Sequence, residues 1–332
     1  MMNRKRFWLA LLIGIVAFGM LTVTSVVAGG QKAASGGEKK YTIMYVAPKV
    51  NDPVWLIVKA GFDEAAREFG FNGIWTGADD HTVERTVEAL ENTIVQKPDA
   101  IVVCPFAPSA FNTALRNAKA AGIVVTCSAV DAASEDLRAA FVGTDNANAG
   151  VIQIKEIIKR LPQGAPVNLG IIMSNIDSEN QVIQWKAAEK YMKDNNISYK
   201  IVDTRADNAD PNTSVEVVTS MLRANPEINA ILSCEGGGSP GVGKAIEELN
   251  LQGKVIAITM DATELNLDQV KKGNLTGVMA QNLYGGWGYD AARFAYMALK
   301  GEKVPSITDS GVQLVDQAAA ATFDPNSNPS KN

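Results

Sequence analysis

Residues 41–70 read YTIMYVAPKVNDPVWLIVKAGFDEAAREFG. The stretch opens with a short β-branched and aromatic run, 41–47, and continues into a longer segment of helical period, 53–69. That change of period marks a strand followed by a helix. The alternation recurs down the chain. Strands are expected at 73–76, 100–104, 123–127 and 140–142, then at 167–173, 199–204, 230–234, 255–259 and 276–280. Helices such as 83–96, 109–121, 181–194 and 215–224 fall between them. This βαβ rhythm implies an α/β protein with parallel sheets covered on both faces.

Two groups of about five strands predict two doubly wound, Rossmann-like domains rather than one large sheet. The break falls at Gly143-Thr144-Asp145-Asn146, where a short strand ends and a helix begins, with Asn146 as the expected cap. The chain is expected to cross between domains near 143–146, 281–284 and 308–312. A helix over 285–300 then returns to the first domain, and a last strand near 312–315 to the second. The expected division is 1–28 signal peptide, 29–40 flexible leader, 41–144 plus 283–309 first lobe, 145–282 plus 310–323 second lobe and 324–332 tail. In open α/β sheets a ligand binds beyond the carboxyl ends of the strands, so two such domains facing each other make a cleft.

Composition agrees. The 332 residues are 46% hydrophobic and 20% charged, which suits two globular domains of ~150 residues. The net charge of −5 carries no basic block, so no nucleic-acid partner is expected. The single histidine, His81, excludes His-rich metal centres and reads as a solvated loop residue after Asp79-Asp80. Cys104, Cys127 and Cys234 are too few for a disulfide scaffold or a four-thiolate zinc site. Cys104 and Cys127 end consecutive strands and read as small buried thiols, a disulfide being the alternative. No metal or cofactor is expected.

Arg4, Lys5 and Arg6, the apolar stretch 9–28 and the small residues Val26-Val27-Ala28 have the form of an export signal. Uncleaved, the same stretch is long enough to anchor the chain in a bilayer. Cleavage removes three basic residues and takes the net charge from −5 to −8.

The run Cys234-Glu235-Gly236-Gly237-Gly238-Ser239-Pro240-Gly241-Val242-Gly243-Lys244-Ala245 matches three glycine motifs. Read as a G-x-S-x-G nucleophile elbow, it places Pro240 where a backbone N–H must hold the oxyanion, and no histidine follows. Read as a P-loop, it has Ala245 where Ser or Thr must hold magnesium. Gly236, Gly238 and Gly241 fit the dinucleotide pattern, with Asp261 downstream, but Pro240 sits in the tight turn. The plainer reading is a turn that brings backbone close to a ligand or to its neighbours.

The order of several motifs resembles the periplasmic sugar-binding proteins of the ribose-binding type, the soluble receptors of ABC importers. These are Asn51-Asp52-Pro53 with Trp55, Gly61-Phe62, Gly143-Thr144-Asp145-Asn146, Met260-Asp261-Ala262 and Ala280-Gln281. The likeness covers nearly all of 41–323 and implies a type 1 periplasmic binding protein, two lobes joined by a three-strand hinge, with no catalysis. It implies a polar ligand contact at Asp52, an aromatic stacked on the sugar ring at Trp55, and hydrogen bonds to ring hydroxyls from Asp261 and Gln281. Gln184 stands where ribose binders use arginine, Glu235 and Cys104 where they use asparagine, and Ser128-Ala129 where they use an Asp-Arg pair. These departures leave the sugar unnamed.

Sugar chemistry agrees with the carry-over: indoles cover C–H faces, while carboxylates and amides take hydroxyls. Such an acidic site also suits an amine or polyol. Read residue by residue, Asp52 and Asp261 are alternatively helix caps and Trp55 a core aromatic. Receptors for autoinducer-2 share the fold. Pro48-Lys49 and Ile183-Gln184-Trp185 resemble theirs, whereas Ser128, Gln181 and Cys234-Glu235-Gly236 depart from it. The expected protein is therefore a monomeric, extracytoplasmic receptor that passes a small sugar or polyol to an ABC permease. The alternatives are an autoinducer-2 receptor, a membrane-tethered ectodomain signalling to a chemoreceptor or sensor kinase, and a dinucleotide-dependent oxidoreductase.

Overall fold

The computed structural model describes residues 40–327. The expected signal segment, most of the leader and the last residues of the tail lie outside that range. Among the described residues, no helix is long and apolar enough to cross a membrane.

Elements are numbered in chain order. The first sheet contains β1 (Thr42–Ala47), β2 (Asn72–Gly77), β3 (Ala100–Val103), β4 (Val124–Ala129), β5 (Ala140–Gly143) and β11 (Ile307–Asp309), in the order β11-β5-β4-β3-β1-β2. The second contains β6 (Val167–Met173), β7 (Tyr199–Ala206), β8 (Ala230–Ser233), β9 (Ile256–Met260), β10 (Gly277–Gln281) and β12 (Val312–Asp316), in the order β12-β10-β9-β8-β6-β7. The central strands are almost wholly apolar because both their faces are covered: AIVV in β3 and AILS in β8 are buried at every position.

The helices of the first half are α1 (Pro53–Phe69), α2 (Val83–Val95), α3 (Pro108–Ala120) and α4 (Asn146–Arg160). Those of the second are α5 (Glu179–Asp194), α6 (Pro211–Ala224), α7 (Ser239–Glu248), α8 (Glu264–Lys271), α9 (Ala291–Leu299) and the short α10 (Gln317–Ala320). α1 shows why the local sequence folds this way. Asp52 caps it, Pro53 opens it with a φ already suited to a helix, and Gly70 closes it in the left-handed conformation at φ 74°.

The chain passes between the sheets after β5, after β10 and between β11 and β12. The first and third passages are tied together. The Ser310 N–H donates to the Gly143 carbonyl at 2.7 Å, and the Thr144 and Ser310 hydroxyls lie 3.2 Å apart.

The structure corrects the sequence reading in four places. β11, only three residues long, has no strand counterpart in the expected list. β12 runs antiparallel to β10, so the second sheet is not wholly parallel. The two-residue link Ser310-Gly311 carries the chain straight from β11 of the first sheet into the second, so β12 starts where β10 ends, Val312 opposite Gln281, and runs back along it. The expected helix 285–300 begins as a π-helical turn, Leu283–Asp290, before α9. Gly61 of α1 explains that turn: a Cβ there would come within 2.0 Å of the Tyr284 carbonyl oxygen, so two backbones touch where side chains would normally separate them. Finally, α4 is capped by Asp145, whose Oδ1 accepts the Asn148 N–H at 2.9 Å, and not by Asn146.

Candidate functional site

Loops that follow the C-terminal ends of strands in both sheets line one cavity of about 60 Å³. The lobes meet across it. The Lys49 ammonium donates to the Ala209 carbonyl at 2.9 Å, and the Glu179 N–H to the Phe106 carbonyl at 3.3 Å.

Asp52 reaches the cavity from the first lobe. Its Oδ1 accepts the Val54 N–H at 2.8 Å, capping α1, while its Oδ2 lies against Gly237 of the other lobe. The carboxyl therefore both caps the helix and faces the cleft. Burial raises its pKa, with the Val54 bond and Lys49 pulling the other way.

Glu235 and Asp261 come from the second lobe. Glu235 Oε2 accepts the Gly238 N–H at 2.8 Å. Its Oε1 and Asp207 Oδ2 both occupy the space that a Cβ at Gly238 would take. Burial pushes this pair of carboxyls up together, and their mutual repulsion favours one proton held between them. Asp261 has left-handed backbone, φ 63°. Its Oδ1 accepts the Gln281 Nε2–H at 2.7 Å. Burial lifts its carboxyl to about 7, against the opposing effect of the Gln281 bond. The Asn266 amide donates to the carbonyls of Asp261 at 2.8 Å and Gly236 at 3.0 Å, locking the two loops together.

The glycine run now has a physical role. A Cβ at Gly236 would lie 2.3 Å from Asp261 Oδ2, at Gly237 2.5 Å from Asp52 Oδ2, and at Gly238 2.1 Å from Asp207 Oδ2. Three consecutive glycines leave room for three carboxyls. A pyrophosphate approaching this loop would meet like charge, which is the opposite of a phosphate cradle. The Ser239 hydroxyl donates to the Glu235 carbonyl at 2.8 Å and opens a helix.

Trp55 lines the cavity and is also packed in the first lobe's core, 5% exposed. Its ring stands 5.9 Å from that of Trp287, tilted by 33°. Cys104 and Gln281 also line the cavity. Cys104, Cys127 and Cys234 are free thiols, and burial pushes that of Cys127 up to about 12 and those of the other two further.

Two expected site residues are elsewhere. Ser128 lies within β4, its hydroxyl accepting from the Tyr45 hydroxyl at 2.8 Å and donating to the Trp287 carbonyl at 2.9 Å. Its side chain points to the helix side of the strand, opposite to the direction a ligand contact requires. Gln184 is one turn too far along α5. Its amide donates to Gln153 Oε1 and to Met260 Sδ in the packing between helix and sheet. His81 also differs from its expected place. It is half-buried on the cavity wall, 4.6 Å from the Phe106 ring, and burial holds it at about 4, so it is neutral at pH 7.

Sequence reasoning missed Trp287, Phe106 and Asn180 on the wall, and Asp207, which stands beside Glu235. The rule that found Asp261, an acid just after a strand, also fits Asp207 after β7. Trp287 carried no signal, because its position depends on the π-helical turn. Ala129, Ala209 and Asp261, all on the wall, have positive φ without being glycine, backbone strain of the kind that gathers at binding sites.

Residues 43–303 match the periplasmic binding protein domain family. The chain belongs to it. This periplasmic binding protein is 24% identical over 249 residues to the ribose import binding protein of Bacillus subtilis, covering 74% of this chain and 78% of that one. Its fold resembles that of a carbohydrate transporter solute binding protein from Agrobacterium radiobacter in complex with D-arabinose, with TM-score 0.78 and 25% identity over 85% of this chain and 96% of that one. It also resembles an ABC transporter solute binding protein from Agrobacterium vitis with bound D-fucose, with TM-score 0.79 and 25% identity over 85% and 97% of the two chains.

Proposed function

We propose that this periplasmic binding protein captures a small sugar or sugar-like polyol between its lobes, on the extracytoplasmic side, and delivers it to the permease of an ABC importer. The observation that carries the reading is the convergence of Asp52 and Trp55 from one lobe with Glu235 and Asp261 from the other on a single cavity. Carboxylates accept hydroxyl protons, and the indoles of Trp55 and Trp287 offer flat apolar faces to C–H groups. Nothing in that set is arranged to attack a substrate; the groups bind. The relatives named for ribose import, D-arabinose and D-fucose support a carbohydrate as cargo.

The test is a melting-temperature screen against pentoses, hexoses, deoxyhexoses, polyols and autoinducer-2, with NAD as a control. A ligand at ~100 times its dissociation constant stabilises the folded state by about 2.7 kcal/mol, a shift well above noise. A sugar or polyol should give it and NAD should not. If no carbohydrate moves the melting temperature, or if NAD alone does, the reading is wrong.

A further inference from the structure

The cavity wall carries more carboxyl groups than a neutral guest needs. Asp52, Glu235 and Asp261 all contribute carboxyls to it, and among the described residues no lysine or arginine lines it. The nearby cation, Lys49, lies off the wall with its ammonium on the Ala209 carbonyl. His81, the remaining basic group on the wall, is neutral at pH 7.

A second observation shows that this is a ligand site and not just an acidic patch. Ser178 and Trp287 line the cavity, 0% and 5% exposed, and the Ser178 hydroxyl and the Trp287 indole N–H have no hydrogen-bond partners. Three more wall atoms without partners, Asn180 Oδ1, Glu235 Oε1 and Gln281 Oε1, are acceptors. Acceptors thus outnumber donors around the guest. A hydroxyl brings one donor together with lone pairs that need donors of their own, whereas an ammonium brings three donors and no lone pair. The indole N–H still requires one acceptor on the guest, which a hydroxyl oxygen supplies.

We propose that the solute carries a protonated amine beside its hydroxyls, as an amino sugar does, and that Asp52, Glu235 and Asp261 receive the ammonium. The inference rests on the sugar-receptor reading and narrows it. Buried carboxyls resist ionisation without a countercharge, and burial does push all three upward here; a bound cation supplies that countercharge. Trp55, Trp287 and Phe106 line the same space, and aromatic faces attract a cation.

The experiment is titration calorimetry with matched pairs at one pH and salt: D-glucosamine against D-glucose, D-galactosamine against D-galactose, and the N-acetylated forms of both amines. The amine should bind on the order of tenfold tighter than its parent, the margin of a charge-assisted over a neutral hydrogen bond. N-acetylation should abolish the gain. Glu235→Gln, which keeps an oxygen for the Gly238 N–H, should reduce the preference, and so should Asp261→Asn. Parent sugars that bind as tightly as their amines overturn the inference and leave the sugar receptor standing. If none of these sugars binds while another carbohydrate in the wider screen does, the amine proposal alone fails. If no carbohydrate binds at all, both fail.

Discussion

At the scale of single residues, the glycines of 236–238 are positions where one methyl group would press on the carboxyls of the site. Gly236→Ala places a Cβ 2.3 Å from the Asp261 carboxylate and 2.5 Å from its Cβ, so the clash is not relieved by swinging the side chain's end alone. The expected cost is about 1–3 kcal/mol, read as a lower urea midpoint with an unchanged slope. An unchanged midpoint would mean the two loops are not packed as described. Asp261 also gives a pH signature. Its folded value of about 7 lies above the usual carboxylate range, so between pH ~4 and ~7 the folded chain holds a proton that the unfolded chain has lost. Stability of the ligand-free protein from this group is therefore greatest at the acid end and falls as pH rises to 7, by up to about 1.4 kcal/mol per pH unit. His81, depressed to about 4, acts with the opposite sign in the same range. The difference between wild type and Asp261→Asn isolates the carboxyl, and that difference should shift against wild type as pH rises from 4 to 7. A pH-independent difference would refute the shift. Asp52 and Asp261 were legible because an acid before a helix, or directly after a strand, is a local pattern. Ser128 and Gln184 were misplaced because which way a side chain faces in a strand, or on which turn of a helix it sits, depends on packing that no local pattern records.

Among the elements, α4 and α5 show how a polar residue can look functional and be structural. Gly150 of α4 brings its backbone so close to Gln184 that a Cβ would lie 1.9 Å from the Gln184 carbonyl oxygen. The Gln184 side chain then completes a buried chain with Gln153, whose amide bonds the Ser233 carbonyl at 3.0 Å and the Ile258 carbonyl at 3.2 Å. Gln184→Ala leaves Gln153 Oε1 without its donor and should cost about 1–3 kcal/mol of stability, with sugar affinity within twofold of wild type. Loss of binding at unchanged stability would return Gln184 to the site. The central strands and α1 were readable from periodicity, since their burial is carried by their own residues. β11 was not, because three residues are too few for a period to show. The π-helical turn was not either, since it exists through contact with Gly61, more than two hundred residues away in sequence.

For the whole molecule, three passages between two sheets make a joint, and the cleft lies on one side of it. The Lys49–Ala209 and Glu179–Phe106 bonds cross that cleft, so they belong to the closed arrangement and must break for a solute to enter. X-ray scattering should show a smaller radius of gyration when the identified solute is added; an unchanged radius with proven binding would rule out hinged closure. The two-lobed plan was legible in the strand–helix rhythm, whereas the direction of β12 was not, being set by the two-residue link before it. The sharing of strands between halves of the chain also bears on how the protein is made. The first sheet's outer strand β11 and the helix α9, packed on β3, β4 and β5, are synthesised after β6 to β10 of the second. The amino-terminal lobe therefore cannot finish folding as it leaves the ribosome, as an uninterrupted domain would. It stays open until translation is almost complete, and an open chain is the form in which a polypeptide can be threaded through a secretion channel.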